Sequence, residues 1–166
     1  MNYQEAKDKY IEAWGTLGSS WGVNRTMAQV HALLLISGQP LSTEEIMEEL
    51  QISRGNANMN IRALLDWGLA DKVIVKGERK EFFKTEKDVW YLAQQVARER
   101  KRRELDPIIK ILTEVNGVKG STEDIKRFNH MTSDLLGFAS QCERVLNGFT
   151  SAKTNWLIKI IKWMKI

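Results

Sequence analysis

Between Pro40 and Lys84 the chain sets out a capped helix, a tight turn, a second helix and a hairpin, an order that few small folds accommodate. Ser42 can cap the first helix, and Glu45 three residues on completes a capping box, its carboxylate returning a hydrogen bond to the cap backbone. Ile46, Met47 and Leu50 recur at helical spacing. This helix should end near Gln51-Ile52, where Ser53 is placed to cap the next. The second helix gathers Ala57, Ile61, Leu64 and Leu65 on one side. At about 100° per residue its opposite side carries Asn56, Met59 and Ala63, with Asn60 and Arg62 on the flanks. Gly68 then stands where a C′ glycine stops a helix.

The next segment is strand-like. Lys72 to Val75 is β-branched, Arg79 to Lys84 includes Phe82 and Phe83, and Lys76-Gly77-Glu78 is the turn between them. The hairpin tip therefore gathers Lys76, Arg79 and Lys80. Two capped helices, a three-residue turn and a basic hairpin together describe a helix-turn-helix with a wing. A helix face of Asn, Arg and short side chains suits the major groove. There Asn pairs bidentately with adenine, Arg with guanine, and Met59 can touch a thymine methyl. Arg54, in the first turn, is better placed for a phosphate. The basic tip suits the phosphate backbone or an adjacent minor groove. The candidate DNA-contacting residues are Ser42, Thr43, Ser53, Arg54, Asn56, Met59, Asn60, Arg62, Lys76, Arg79 and Lys80. Against this, Glu44, Glu45, Glu48 and Glu49 on the first helix would repel DNA, so they are expected to point away from it. Otherwise a winged-helix module docking on another regulator is the alternative.

The runs Leu41-Ser42-Thr43-Glu44-Glu45-Ile46 and Ile52-Ser53-Arg54-Gly55-Asn56, the stretch Leu64 to Leu69, and Gly77-Glu78-Arg79-Lys80 resemble the GbsR-like branch of the MarR superfamily of winged-helix regulators. The Ser-Arg-Gly-Asn run and the Gly-x-Arg-Lys wing are the more specific parts, and the likeness covers about residues 15 to 105. It implies a homodimeric bacterial or archaeal transcription regulator, usually a repressor, on a pseudo-palindromic operator. Some relatives respond to choline or other quaternary ammonium compounds; no ligand position is carried over to this chain.

At 166 residues and 43% hydrophobic content the chain can bury a core as one compact unit or two small lobes. A net charge of +4 permits a nucleic-acid partner without requiring one. The single cysteine, Cys142, excludes an internal disulfide and fits a reducing compartment. Phe138, Ala139, Val145 and Leu146 around it predict a buried apolar thiol. His31 lies within an apolar run and reads as a core or flank histidine; His130 is remote in sequence, and no metal site is expected. The chain carries no glycine-rich phosphate loop, no ligand-spaced His/Cys set and no nucleophile motif, so neither catalysis nor a cofactor is expected. The first ten residues are polar and charged, unlike a signal peptide, and no run reaches transmembrane length, so the cytoplasm is the expected location.

The flanks read as helices. Residues 3 to 18 put Tyr10, Ala13, Trp14 and Leu17 on one side, and 24 to 37 carry Val30, Leu33, Leu34 and Leu35. Thr85 with Asp88 offers a second capping box for a helix from Glu86 past Arg100, whose Val89, Leu92, Ala93 and Val96 face one way. The basic run Arg98 to Arg103 reads as a solvated face salted with Glu99 and Glu104, the alternative being a phosphate-contacting or hinge segment. Pro107 starts or kinks a short helix through Val115, and Ser121 with Asp124 caps a long one ending at Asn147-Gly148. From Trp156 to Ile166 the tail is apolar nearly all round except for its lysines. Such a helix is hard to cover within one subunit. Two C-terminal helices are therefore expected to bury each other in a homodimer, with an anionic membrane surface as the less favoured reading.

The fold class is thus mainly α with a small β-wing: a winged helix-turn-helix domain over 1–85 and a helical linker and dimerisation region over 86–166. The expected function is a homodimeric, sequence-specific transcription regulator of repressor type, bound to double-stranded DNA. Six tryptophans leave open an aromatic cage for a cationic effector.

Overall fold

The computed structural model describes residues 1–151, so the apolar stretch Trp156 to Ile166 lies outside the described residues. The chain forms two compact units, Met1–Leu92 and the part from Ala93 onward. The first comprises α1 (Tyr3–Ser20), α2 (Arg25–Ile36), β1 (Leu41–Ser42), α3 (Thr43–Leu50), α4 (Arg54–Asp66), β2 (Asp71–Val73), β3 (Phe82–Lys84) and the opening of α5 (Val89–Arg100). The second holds the rest of α5, a π-helical turn at Lys101–Leu105, α6 (Asp106–Val115) and α7 (Glu123–Ser151). This is the mostly helical architecture with a small antiparallel sheet that a winged helix requires.

In the first unit each helix from α1 to α4 starts where the sequence supplies a cap. Asn2 with Glu5 and Ser42 with Glu45 form complete capping boxes. Asn24 and Ser53 accept hydrogen bonds from the amides of Met27 and Asn56, at 3.2 and 3.3 Å. Gln51 closes α3 in the left-handed region, at φ 52°, which reverses the chain quickly enough for Ser53 to open α4. The core is built around α2, whose Val30, Ala32, Leu33 and Leu34 are buried with Ile46, Ala57, Ile61, Leu64 and Phe83.

Helix α1 presents a different side from the one its apolar residues suggest. Ile11, Gly15 and Gly18 are buried, whereas Leu17 is exposed and Tyr10 and Trp14 are half-buried against each other, ring centroids 5.4 Å apart. Close approach is the cause. A Cβ on Gly18 would lie 2.5 Å from the Cβ of Ala28, so glycine lets α2 come against the helix backbone.

The sheet runs β1-β3-β2, antiparallel throughout, with Phe83 opposite Leu41 on one side and Lys72 on the other. The two-residue β1 is too short to show as a pattern in sequence. The wing strands are also shorter than expected. They stop at Val73 and resume at Phe82, because Ile74 has no core to face and is 90% exposed. Gly77 turns the tip at φ 90°.

Thr85 is not the cap of α5. Its hydroxyl donates to the carbonyl of Leu69 at 2.7 Å and, its proton so placed, accepts from His31 Nε2 at 3.3 Å. Asp88 is the cap, its Oδ1 accepting from the amides of Trp90 and Tyr91 at 2.8 and 3.2 Å. The helix therefore begins at Val89, which is exposed rather than part of an apolar face. Lys87 Nζ donates to the carbonyls of Leu34, Leu35 and Ser37 at 2.6, 2.7 and 3.0 Å, satisfying the open end of α2. Burial pushes His31 down to about 4, and the charge of Lys87 adds to the effect.

In the second unit α6 packs on α7. Thr122 rather than Ser121 opens α7, accepting from the amide of Ile125 at 3.4 Å. The helix passes through Asn147-Gly148, where an end was expected. Gln94 and Arg98 donate to the carbonyls of Phe149 and Thr150 at 3.0 and 2.6 Å and so hold the turn that follows Gly148. The basic run is engaged within the unit. Buried Glu99 takes Arg102 at 2.6 Å and Arg103, while Lys101 bridges Asp106 at 2.8 Å and Glu143 at 3.1 Å. Cys142 is half-buried rather than buried, since its neighbours Phe138 and Val145 face outward. Among the described residues no helix is long and apolar enough to cross a membrane.

Candidate nucleic-acid interface

Helix α4 turns Ala57, Asn60, Ile61 and Leu64 inward and packs on α2. Arg54, Gly55, Asn58, Met59 and Arg62 are left exposed. The open face is rotated from the one expected: Arg62 moves from a flank to its centre, Asn58 joins it, and Asn60 moves inside. Asn60 is 2% exposed, and its Nδ2 donates to the carbonyl and to Oδ1 of Asn56, at 2.8 and 2.7 Å. A side chain so engaged is out of reach of a base edge, and Asn56 is half-buried by the same contact. Leu65, assigned by its spacing to the core stripe, is correspondingly only half-buried, and Asn60 takes the inner position beside Ile61 and Leu64. Asn58 is absent from the sequence-based set, although its spacing of four from both Arg54 and Arg62 puts it on their face.

Gly55 lies in the first turn of α4 with ordinary helical backbone, and a Cβ there would meet nothing within 4 Å. No contact inside the protein requires the glycine. With no side chain at Gly55, only the amides ahead of the Asn56 amide that Ser53 caps are left for an incoming anion.

Ser42 and Thr43, by contrast, are buried at 2% and 9% exposure and leave the candidate set. The Ser42 hydroxyl donates to Glu45 Oε2 at 2.7 Å and accepts from the Glu45 amide at 3.3 Å, so the cap consumes it. Ser53 stays exposed while its hydroxyl caps α4.

The glutamates of α3 have separate destinations. Glu45 folds back on its own helix, where the backbone and hydroxyl of Ser42 hold its carboxyl below the usual range. Glu49 pairs with Lys7. Glu44 does not point away: it pairs with Arg54 at 2.8 Å across the turn. Its carboxyl is lowered first by its own backbone amide and then by Arg54, with Lys80 of the wing contributing. Lys80 also acts on Glu45. The wing tip and the start of α4 therefore share one acidic neighbourhood. Lys76, Arg79 and Lys80 are all exposed on the tip, and Lys72 pairs with Glu81 across its base. Among the described residues no group of three His, Cys, Asp or Glu could hold a metal ion.

A family of known proteins matches over this same segment. Residues 21–81 match the model of the MarR family. The MarR match runs from before α2 to the end of the wing tip and contains every candidate DNA-contacting residue. Two relatives from Bacillus subtilis (strain 168) align with this chain over 87 residues, 52% of its length. YvaV, which bears the name of a putative HTH-type transcriptional regulator, is 26% identical over 49% of its own length. OpcR, named as an HTH-type transcriptional repressor, is 24% identical over 47% of its own length. The aligned stretch thus spans about half the length of each relative. A crystal structure of a transcriptional regulator covers 89% of this chain and 99% of that one at a TM-score of 0.59 and 18% identity, which shows the shared fold. The MarR match and the two regulators together support the MarR superfamily.

Proposed function

We propose that this chain is a homodimeric, sequence-specific DNA-binding regulator of the MarR superfamily, in its GbsR-like branch, and acts as a cytoplasmic repressor. The observation that carries the reading is the open face of α4. Asn58, Met59 and Arg62 take no part in the core, and the uncovered glycine at the helix start and the basic tip of Lys76, Arg79 and Lys80 complete the surface. Arg62 and Asn58 read base edges in the major groove, Met59 meets a thymine methyl, and the tip rests on the backbone or in the adjacent minor groove. Residues 1–85 serve as the DNA-binding domain and 86–166 as linker and dimerisation region. A dimer is favoured by α7, where Phe128, Met131, Leu135, Phe138 and Val145 are exposed along one side at alternating spacings of mostly three and four. Two-fold symmetry would set two α4 helices against the half-sites of a palindrome. The name of OpcR supports the repressor role.

The test is fluorescence anisotropy with duplex from upstream of the chain's own gene against scrambled duplex, across a salt series. Selective binding that falls steeply with salt is the expected result. Arg62→Ala should relax base preference at a cost of roughly 1–3 kcal/mol, and Lys80→Ala should weaken all duplexes alike. Wild-type binding that is absent at low salt, or indifferent to both substitutions, overturns the assignment.

A further inference from the structure

We propose that Glu44 is a built-in competitor for the DNA backbone, an acidic group that pairs with Arg54 in the free protein and competes with a phosphate for it. The inference rests on the DNA-binding reading above and deepens it. Three observations carry it. The Glu44 carboxylate meets the Arg54 guanidinium at 2.8 Å, joining α3 to the first turn of α4. The Arg54 side chain is 60% exposed and that of Glu44 35%, so the pair lies open to water, where such pairs are weak and exchange readily. Gly55, next to Arg54, leaves the helix start uncovered, and Lys80 of the wing acts on the same carboxylate. Glu44 thus stands among the groups that would otherwise greet a phosphate: an arginine, a lysine and the first turn of a helix whose second residue is a glycine.

The consequence is a cap on the strength of binding without effect on sequence choice. When Arg54 moves from Glu44 to a phosphate, the freed carboxylate stays beside it, so the two side chains together bring no net charge to the backbone and displace no net counterion. The contact then adds almost nothing to the salt dependence. Without the carboxylate, Arg54 adds one full phosphate contact, a change of about 0.9 in the slope of log affinity against log salt. From about 1 M down to about 0.1 M salt that slope amounts to about an eight-fold gain in affinity.

The experiment compares wild type, Glu44→Gln and Glu48→Gln on a random-sequence duplex across a salt series. Glu48 lies one helical turn further along α3 and controls for the loss of one negative charge. Tighter binding by Glu44→Gln alone, with a steeper salt slope, is the expected result. Equal gains in the two variants would reduce the effect to net charge and overturn the proposal. Weaker binding by Glu44→Gln would also overturn it, since Glu44 would then be positioning Arg54 for the phosphate. A wild type and variants that bind no duplex at the lowest salt overturn the DNA-binding reading itself, and this inference with it.

Discussion

Replacing Gly55 with alanine should move stability and DNA binding in opposite directions. The glycine sits at the second position of α4 with helical backbone, and a Cβ there would meet nothing within 4 Å. Alanine is therefore accepted without strain, and it narrows the unfolded ensemble. Such exchanges stabilise by about 0.4–1 kcal/mol, and a helix end should give the lower part, about 0.5 kcal/mol. A rise of about 1–2 °C in the unfolding temperature follows. The methyl group, however, would stand over the amides that the open face offers to a phosphate. Hydrogen bonds to charged groups are worth about 1.5–3 kcal/mol, so losing one weakens duplex binding about ten-fold or more. Thermal unfolding and anisotropy on a single duplex measure the two effects side by side. A variant that is more stable and binds as tightly as wild type would show that no phosphate approaches the start of α4. Loss of stability would refute the claim that nothing inside the protein needs the glycine.

Both buried glycines of α1 should resist substitution. Gly18→Ala drives a methyl to 2.5 Å from the Ala28 Cβ and should cost about 1–3 kcal/mol in urea unfolding, and Gly15→Ala brings one to 2.7 Å from Gln29 Cγ, one bond out from its Cβ, and should cost less than Gly18→Ala but more than nothing, because the Gln29 side chain must change rotamer to clear it. His31 should make stability depend on pH. With its folded pKa depressed to about 4, the unfolded chain takes up the proton first, so stability is full above about 6.5 and is lost as pH falls toward 4, by about 2 kcal/mol at pH 5. Glu44, Glu45 and Glu99 are also depressed but act below the ordinary carboxylate range, so urea midpoints between pH 7 and 5 isolate the histidine, and His31→Gln should flatten them. Asn60→Ala should lower stability by about 1 kcal/mol and leave duplex binding intact, while Asn58→Ala should do the reverse; equal effects in both assays would undo the assignment of the open face.

Local signals were legible in the sequence because their partners are local. The Ser42–Glu45 box, the Ser53 cap and the turn at Gly77 each involve residues within four of one another, and each forms as expected. Signals that depend on distant partners went astray. Thr85 resembles a cap until Leu69 and His31, 16 and 54 residues away, claim its hydroxyl. Gly148 resembles a helix end until Gln94 and Arg98 hold the following turn. The apolar side of α1 gave way to a glycine side, because close approach to α2 is decided by what is absent from the helix surface.

The candidate interface divides by the same physics, applied to side-chain type. Arg62, Lys76, Arg79 and Lys80 stay on the surface, as expected of charges whose burial unpaired is prohibitive in any fold. Hydroxyls and amides carry no such constraint, since an internal hydrogen bond replaces water at little net cost. Ser42 and Asn60 went inside on those terms, while Asn58, of the same residue type as Asn60 and two positions away, did not. Paired charge is the intermediate case. Four glutamates on one helix read as a single repulsive surface, yet the fold gives three of them separate destinations: Glu45 closes a cap, Glu49 meets Lys7, and Glu44 crosses the turn to Arg54, while Glu48 stays exposed. An acidic α3 beside a DNA-reading helix is therefore no contradiction. Once two of its charges are engaged within the unit, the third, Glu44, lies where it can oppose a phosphate, and the strength of binding becomes a quantity that one carboxylate can set.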